Sequence, residues 1–431
     1  MKTIFWHRRD LRLEDNAGLY KALKTQNEVY PIFIFDSNIL NKLPKNDQRV
    51  LFIHQEITRL SKEYSKLGAD LKVYHGDPKL IIPNICQELN VTAVFTNRDY
   101  EPYALERDQF LFEKLKSINV TFSGSKDHVF FEKNEVLKND GTPYTVFTPY
   151  SRKWKEKLNA FYLSSYPTEK YFKYLKQSQP SPILSLNDLG FESQKTSDFP
   201  PSTEPLEIIS NYKETRDIPS ITGTSRLSIH LRFGTISIRK LANTAVKLNE
   251  GYLNELIWRD FYQMILFHFP HSAAASFRSK YDKIEWERNE SHFNAWCEGK
   301  TGYPLVDAGM RELNNTGFMH NRVRMVVASF LTKHLLLDWR LGETYFAEKL
   351  LDFELASNVG GWQWASGSGC DAAPYFRVFN PTSQQEKFDK EYKYIKQWVP
   401  EFGTASYPAP IVDHSFARNR AIERYKSALN A

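Results

Sequence analysis

Over residues 1–125, short runs rich in β-branched and aromatic residues alternate with amphipathic helical stretches, and beyond residue 201 the strand pattern does not return. Thr3–Trp6, Val29–Phe35, Leu71–Tyr74, Val91–Phe95 and Val120–Phe122 read as strands. Between the second and third, Arg49–Leu67 sets Val50, Ile53, Ile57, Leu60 and Tyr64 on one helical face. Strands separated by helices point to parallel pairing with crossover connections. The expected fold is therefore an α/β N-terminal domain, built on a doubly wound parallel sheet, followed by an all-α domain. The boundaries fall at 1–125 for the first domain, 126–200 for a polar Ser-, Lys- and Pro-rich connection, and 201–431 for the helical domain. Some helix is expected around Tyr150–Phe161, where Arg152, Lys153, Lys155 and Lys157 read as a solvated face. Arg324–Trp339 and Thr344–Leu355 read as long helical runs.

A length of 431 residues is ample for a large buried core. The 57 Lys and Arg against 51 Asp and Glu give a net charge of +6, spread over both halves without a basic tail. A polyanion is allowed as partner, but its binding face must be assembled by folding. The 9 Trp, 23 Tyr and 30 Phe suit stacking on flat partners as well as bulky packing. Cys86, Cys297 and Cys370 form no CxxC and no even disulfide framework, so a reduced, cytoplasmic compartment is expected. No apolar stretch of about 18 residues predicts a membrane span, and no metal-ligand spacing occurs. There is no P-loop, and GSGCDA (Gly367–Ala372) fits a dinucleotide fingerprint only formally, because it follows no predicted strand.

The densest information lies in Asn358–Pro381, NVGGWQWASGSGCDAAPYFRVFNP. On a helix, Trp362 and Trp364 would point about 200° apart and serve opposite surfaces. The small residues around them let a flat group approach the backbone, and equally allow a tight contact between helices. Thr222–Ser228 (TGTSRLS) offers a turn glycine, hydroxyls and Arg226 ahead of a helical run, which suits a diphosphate or an ordinary helix cap. Glu255, Trp258 and Arg259 share one helical face, as a Glu–Arg pair beside a tryptophan would. Asn321 and Met325 form a second such pair, with Arg322 adjacent.

Taken in order, WHRRDLR (Trp6–Arg12), TSRLS (Thr224–Ser228), NELIWRDFY (Asn254–Tyr262), KTGYPLVDAGMREL (Lys300–Leu313), TGFMHNRVRM (Thr316–Met325) and the Asn358–Pro381 segment resemble the photolyase/cryptochrome family, in particular its class I cyclobutane pyrimidine dimer photolyases. The resemblance implies light-driven repair of such dimers in ultraviolet-damaged DNA, by electron transfer from excited, reduced FAD to a flipped-out dimer. It implies FAD as cofactor, held by Tyr212, Thr224, Ser225, Arg226, Leu227, Ser228, Arg324, Asp352, Phe353, Glu354 and Asn358. Asn358 would face the protonatable nitrogen of the flavin's central ring, where a neutral amide accommodates a reduced, anionic flavin. Glu255 and Asn358 are the expected catalytic residues. Arg216, Glu255, Trp258, Arg259, Asn321, Arg322, Met325, Trp364 and Gln384 would meet DNA and lesion. Trp286, Trp339 and Trp362 would carry electrons to the flavin. The family's other activities, a cryptochrome-type blue-light receptor and a (6-4) photoproduct photolyase, are the alternatives; the pocket residues and the absence of a matching histidine pair favour dimer repair. After YPAPIVDH (Tyr407–His414) only a short helical run is expected. Phe318 and Val359 depart from the family pattern, and Ala104 stands where folate-carrying members have glutamate. A second, antenna chromophore is thus left as a deazaflavin, another flavin, or none. A monomer without metal is expected.

Overall fold

The computed structural model describes residues 1–192 and 199–430. Its sheet has five parallel strands: β1 (Lys2–His7), β2 (Glu28–Asp36), β3 (Lys72–Gly76), β4 (Val91–Asn97) and β5 (Thr121–Ser125), in the order β3-β2-β1-β4-β5. All five predicted strands are present. Helices α1 (Ala17–Lys24), α2 (Gln48–Lys66), α3 (Pro78–Leu89) and α4 (Pro102–Ser117) make the four crossovers. Asp47 caps α2 by accepting from the Arg49 amide, and Val50, Phe52, Ile57, Leu60 and Tyr64 are buried, so the apolar stripe faces the core. Ile4, Phe5 and Trp6 of the central β1 are all buried, as expected of a strand covered on both faces.

Two compact units emerge, and they do not follow the three-part division read from the sequence. The first contains Met1–Glu132, Lys157–Glu204 and Arg226–Lys247; the second contains Lys133–Glu156, Pro205–Ser225 and Leu248–Ala431. The connection at 126–200 is thus shared between both, and part of the expected helical domain joins the first. Polar bonds within the first unit explain that allegiance. Arg239 donates to Asp15 and Asp127 at 2.8 Å each, and the Leu11 amide donates to the Phe233 carbonyl at 3.1 Å.

The second unit is helical. Its site-bearing elements are α5 (Phe147–Lys157), α6 (Glu250–His268), α7 (Asn321–Ser329), α8 (Trp339–Lys349), α9 (Leu355–Ser366), α10 (Pro381–Phe388) and α11 (His414–Asn430). Trp296, Val323, Phe330, Trp339, Phe346 and Trp362 belong to its largest buried cluster. α9 packs against α6, α7 and α8. Both long runs expected here are broken. Arg324–Trp339 ends in a wide helical turn at Phe330–His334, and Leu336 takes a left-handed φ of 54° before Asp338 caps α8. Thr344–Leu355 is interrupted between Lys349 and Leu355, where the Leu351 amide donates to the Gly317 carbonyl at 2.9 Å. Helical periodicity carries no information about such a tertiary bond, which here leaves Asp352–Glu354 outside both helices. Among the described residues no helix is long and apolar enough to cross a membrane.

Candidate active site

Three helices of the second unit each leave one mixed polar and aromatic stripe only partly covered. On α6 these are Glu255, Trp258, Arg259 and Tyr262; on α7, Asn321, Arg322, Arg324 and Met325; on α9, Ser357, Asn358, Gly361 and Trp364. Each set recurs at helical spacing, so each marks one face. Ion pairs connect them. Arg259 Nη2 donates to Glu354 Oε1 at 2.9 Å, tying α6 to the residue preceding α9. Arg324 Nη2 meets the Asp352 carboxylate at 3.1 and 3.3 Å, joining α7 to the interruption between α8 and α9.

Glu255 does not pair with Arg259, the partner that helical spacing offered. Its Oε1 accepts from Arg216 Nη1 at 2.5 Å. Burial pushes the Glu255 carboxyl above the ordinary carboxylate range, and the Arg216 guanidinium opposes that rise. Arg216 also lies over the Tyr212 ring, 5.2 Å from its centroid, and Tyr212 packs edge-on to Tyr252 at 5.1 Å. Ser225 Oγ lies 2.8 Å from the Tyr252 hydroxyl. The chain reaches Ser225 through a tight turn in which Thr215 Oγ1 donates to the Gly223 carbonyl at 3.1 Å. A Cβ at Gly223 would lie 2.6 Å from the Thr215 carbonyl oxygen. Tyr212, Arg216, Thr224, Ser225 and Glu255 thus gather in the second unit. Arg226, with a φ of 53°, and Leu227 and Ser228 fall in the first, so TSRLS spans the boundary between units.

Asn358 Nδ2 donates to the backbone carbonyl of Glu343 at 3.1 Å and to its carboxylate at 2.9 Å. Burial raises the Glu343 carboxyl, and the bond from Asn358 opposes the shift. Arg322 binds Asp217 at 2.7 Å, lies over Phe388 at 4.4 Å and approaches Met325 Sδ at 3.9 Å, while Gln384 sits half-buried on α10 with Phe388. Phe353 is half-buried. Phe318 keeps an aromatic face toward Arg324, 5.8 Å from its guanidinium, and Val359 is buried in the core.

Trp362 and Trp364 do serve opposite surfaces. Trp362 is buried against Phe346 and Trp296, with ring centroids at 5.0 and 6.0 Å, and a Cβ at Gly342 would collide with it. Trp364 is half-buried and stacks at 6.4 Å on Phe379. Trp339 is buried with the Arg340 guanidinium 4.8 Å from its ring, and Trp286 lies half-buried against Tyr425 at 5.9 Å. Among the described residues the three tryptophans make no ring contact with one another. Sequence reading missed Glu343, Tyr252, Asp217 and Trp296. Only Glu343 carried a signal, standing four residues after Trp339 on the same helix.

The arrangement fits a flavin dinucleotide. The Ser225 and Tyr252 hydroxyls, 2.8 Å apart, suit an anionic diphosphate, and the Arg324–Asp352 pair with the Asn358 amide offers donors and acceptors to a heteroaromatic ring edge. On α9 a Cβ at Gly360 would collide with the Tyr262 ring, whereas one at Gly361 would meet nothing within 4 Å. One glycine closes the helix contact and its neighbour opens onto space.

Residues 252–405 match the family model described as the FAD binding domain of DNA photolyase, and residues 3–170 match that described as DNA photolyase. A deoxyribodipyrimidine photo-lyase of a Synechococcus strain is 37% identical, over 97% of this chain and 95% of that protein. The Escherichia coli protein of the same name is 36% identical, over 99% and 98%. Among solved structures, a bacterial class III photolyase from Agrobacterium tumefaciens superposes with a TM-score of 0.88 at 33% identity, covering 100% of this chain and 98% of that one. An archaeal photolyase from Sulfolobus tokodaii, solved with two FAD molecules, gives 0.82 at 35% identity, over 99% and 100%. With an α/β unit, a helical unit and near-complete coverage by such relatives, the chain belongs to the photolyase/cryptochrome family.

Proposed function

We propose that this chain is a deoxyribodipyrimidine photo-lyase that uses FAD and light to split cyclobutane pyrimidine dimers in ultraviolet-damaged DNA. The observation that carries the reading is the Arg259–Glu354 bond at 2.9 Å, which ties the helix of Glu255 and Trp258 to the helix of Asn358. Lesion-type and cofactor-type residues therefore share one framework. FAD, when bound, supplies the light-driven electron donation. The residues Tyr212, Thr224, Ser225, Arg324, Asp352, Phe353, Glu354 and Asn358 would hold it, with Arg226–Ser228 at the other end of the TSRLS motif.

The chain's own work is orientation and electrostatics. Trp258 offers a half-buried indole on which a flipped pyrimidine stacks. Glu255, set by Arg216, presents its second carboxylate oxygen to the pyrimidine's polar edge. Its raised proton affinity suits a group that shares a proton with a ring gaining negative charge. Asn321, Arg322, Met325, Trp364 and Gln384 would line the lesion and DNA side. Flipping a base out of the duplex costs about a few kcal/mol, and least for a damaged pair that stacks poorly. Trp286, Trp339 and Trp362 would reload the flavin with electrons. Ala104, buried on α4, offers no carboxylate, which argues against a folate antenna. The protein would act as a cytoplasmic monomer without metal.

The test is repair of ultraviolet-irradiated duplex DNA by purified protein. Dimers should disappear under blue or near-ultraviolet light and persist in darkness. Equal repair in the dark, or full activity without flavin, would overturn the reading.

A further inference from the structure

Trp258 already has an aromatic partner. The Phe147 ring lies parallel to it, with centroids 3.7 Å apart and planes 2° from coplanar. Two rings left to themselves prefer an offset or an edge-to-face contact over so nearly eclipsed a stack. Something must hold this one, and three contacts do. Phe147 begins α5, and its amide, a donor with no partner inside the helix, donates to Asp371 Oδ2 at 3.0 Å. Its ring packs edge-on against the fully buried Phe261 at 5.9 Å, which in turn meets Trp258 at 5.6 Å. Two helical turns further along α5, the Trp154 indole donates to the buried Asp260 on α6 at 3.0 Å. α5 is thereby held at its start by Asp371, beyond α9, and two turns on by Asp260 of α6. Asp371 belongs to the same segment that carries Trp364, so one carboxylate links that segment to the Trp258 side.

We propose that Phe147 is a positioning residue for lesion recognition, a fixed aromatic backing that sets the orientation in which Trp258 receives a flipped pyrimidine. The inference rests on the lesion-binding reading of Trp258. An indole stacked on a ring whose backbone is pinned has few rotamers left, so little freedom is lost when a base stacks on its accessible side. A leucine at 147 would fill space yet offer no parallel face, whereas a tyrosine would keep both.

The test compares wild type, Phe147→Leu and Phe147→Tyr, each with its flavin content measured. Dissociation constants are taken for dimer-containing and intact duplexes, and light-driven repair is followed at limiting and saturating DNA. Phe147→Leu should weaken binding of damaged DNA about three- to tenfold, the scale of one aromatic stack. Intact-duplex affinity and repair rate at saturation should stay within about twofold, since phosphate contacts dominate nonspecific binding, and Phe147→Tyr should restore wild-type behaviour. Unchanged binding of damaged DNA by Phe147→Leu overturns the proposal. So does tighter binding, which would mean that Phe147 occupies the lesion's own seat. Equal losses on both duplexes, or loss of flavin, reduce Phe147 to packing and overturn it as well. Wild-type protein that fails to prefer damaged DNA would remove the lesion-binding reading itself, a failure visible without any substitution.

Discussion

Asn358 gives its amide nitrogen to Glu343, reaching both the backbone carbonyl at 3.1 Å and the carboxylate at 2.9 Å. Both amide hydrogens are thus spent on α8, and the Asn358 carbonyl oxygen is the group left for a ligand. The sign of this position is set by its neighbour: an amide so anchored offers an acceptor, not a donor, to whatever lies beside α9.

Glu343→Ala removes the side-chain acceptor and leaves only the backbone one, so it should loosen that amide, while Glu343→Gln, which still accepts, should not. The lost bond is worth about 1.5–3 kcal/mol if charge-assisted. In protein carrying FAD, the alanine variant should show a shifted flavin midpoint potential and faster reoxidation in air, with the glutamine variant close to wild type. Identical potentials in all three would mean that Asn358 does not depend on its anchor.

The fold was legible because periodicity is local. Five strands and the amphipathic α2 announce themselves within a few residues each, and parallel order follows from the helices between them. The breaks at Leu336 and at Leu350–Glu354 were not legible, because a left-handed residue and a bond to Gly317 are tertiary choices made inside apolar, helix-compatible sequence. The site divides the same way. Trp258, Arg324 and Asn358 lie in motifs whose resemblance names them, and the same resemblance names Asp352 between two of those motifs. Their partners lie elsewhere in the chain: Arg216 for Glu255, Glu343 for Asn358, Asp217 for Arg322. Helical spacing offered Arg259 to Glu255 and was overruled, because Arg259 finds the buried Glu354. Charge pairing across a fold has no period to read.

Glu255→Ala should lower repair per absorbed photon more than it weakens DNA binding, because most affinity comes from phosphate contacts. Arg216→Ala should reproduce part of that loss by releasing the carboxylate it holds at 2.5 Å. Trp258→Ala should instead cost lesion-specific binding, about 1–3 kcal/mol for one stacked base. Dissociation constants and repair yields on damaged and intact duplexes separate the cases. A Glu255→Ala enzyme with undiminished yield would leave Glu255 as no more than the partner of Arg216.

Trp286→Phe and Trp339→Phe should each abolish photoreduction of oxidised flavin yet spare repair by chemically reduced enzyme. On the proposed reading bond splitting needs flavin and lesion only, whereas loading the flavin would run through the tryptophans. Trp296, edge-on to Trp362 at 6.0 Å, is the control. Its replacement by Phe should lower thermal stability by perturbing a buried contact while photoreduction persists. Wild-type photoreduction in both Trp286 and Trp339 variants would leave those residues as packing.

Lys333 carries a pH dependence of its own. Its side chain is buried, and Nζ donates to the Ser366 carbonyl at 2.8 Å and the Tyr375 carbonyl at 3.3 Å, 3.5 Å from the centre of the Tyr425 ring. Burial holds its proton affinity well below that of an ordinary lysine. The folded state therefore binds this proton more weakly than the unfolded chain does. The associated stability is present above the unfolded lysine pKa of 10.5 and is lost as pH falls toward the folded value. Lys333→Met binds no proton, so it forgoes two hydrogen bonds of about 1 kcal/mol each at every pH, and escapes the pH-dependent loss. Unfolding free energies from urea titrations at pH 10, 9 and 8 should shift in favour of the variant as pH falls. The limiting slope is about 1.4 kcal/mol per pH unit. A difference that stays flat over this range would show that the ammonium remains charged within the fold, held by the face of Tyr425 and the two carbonyls.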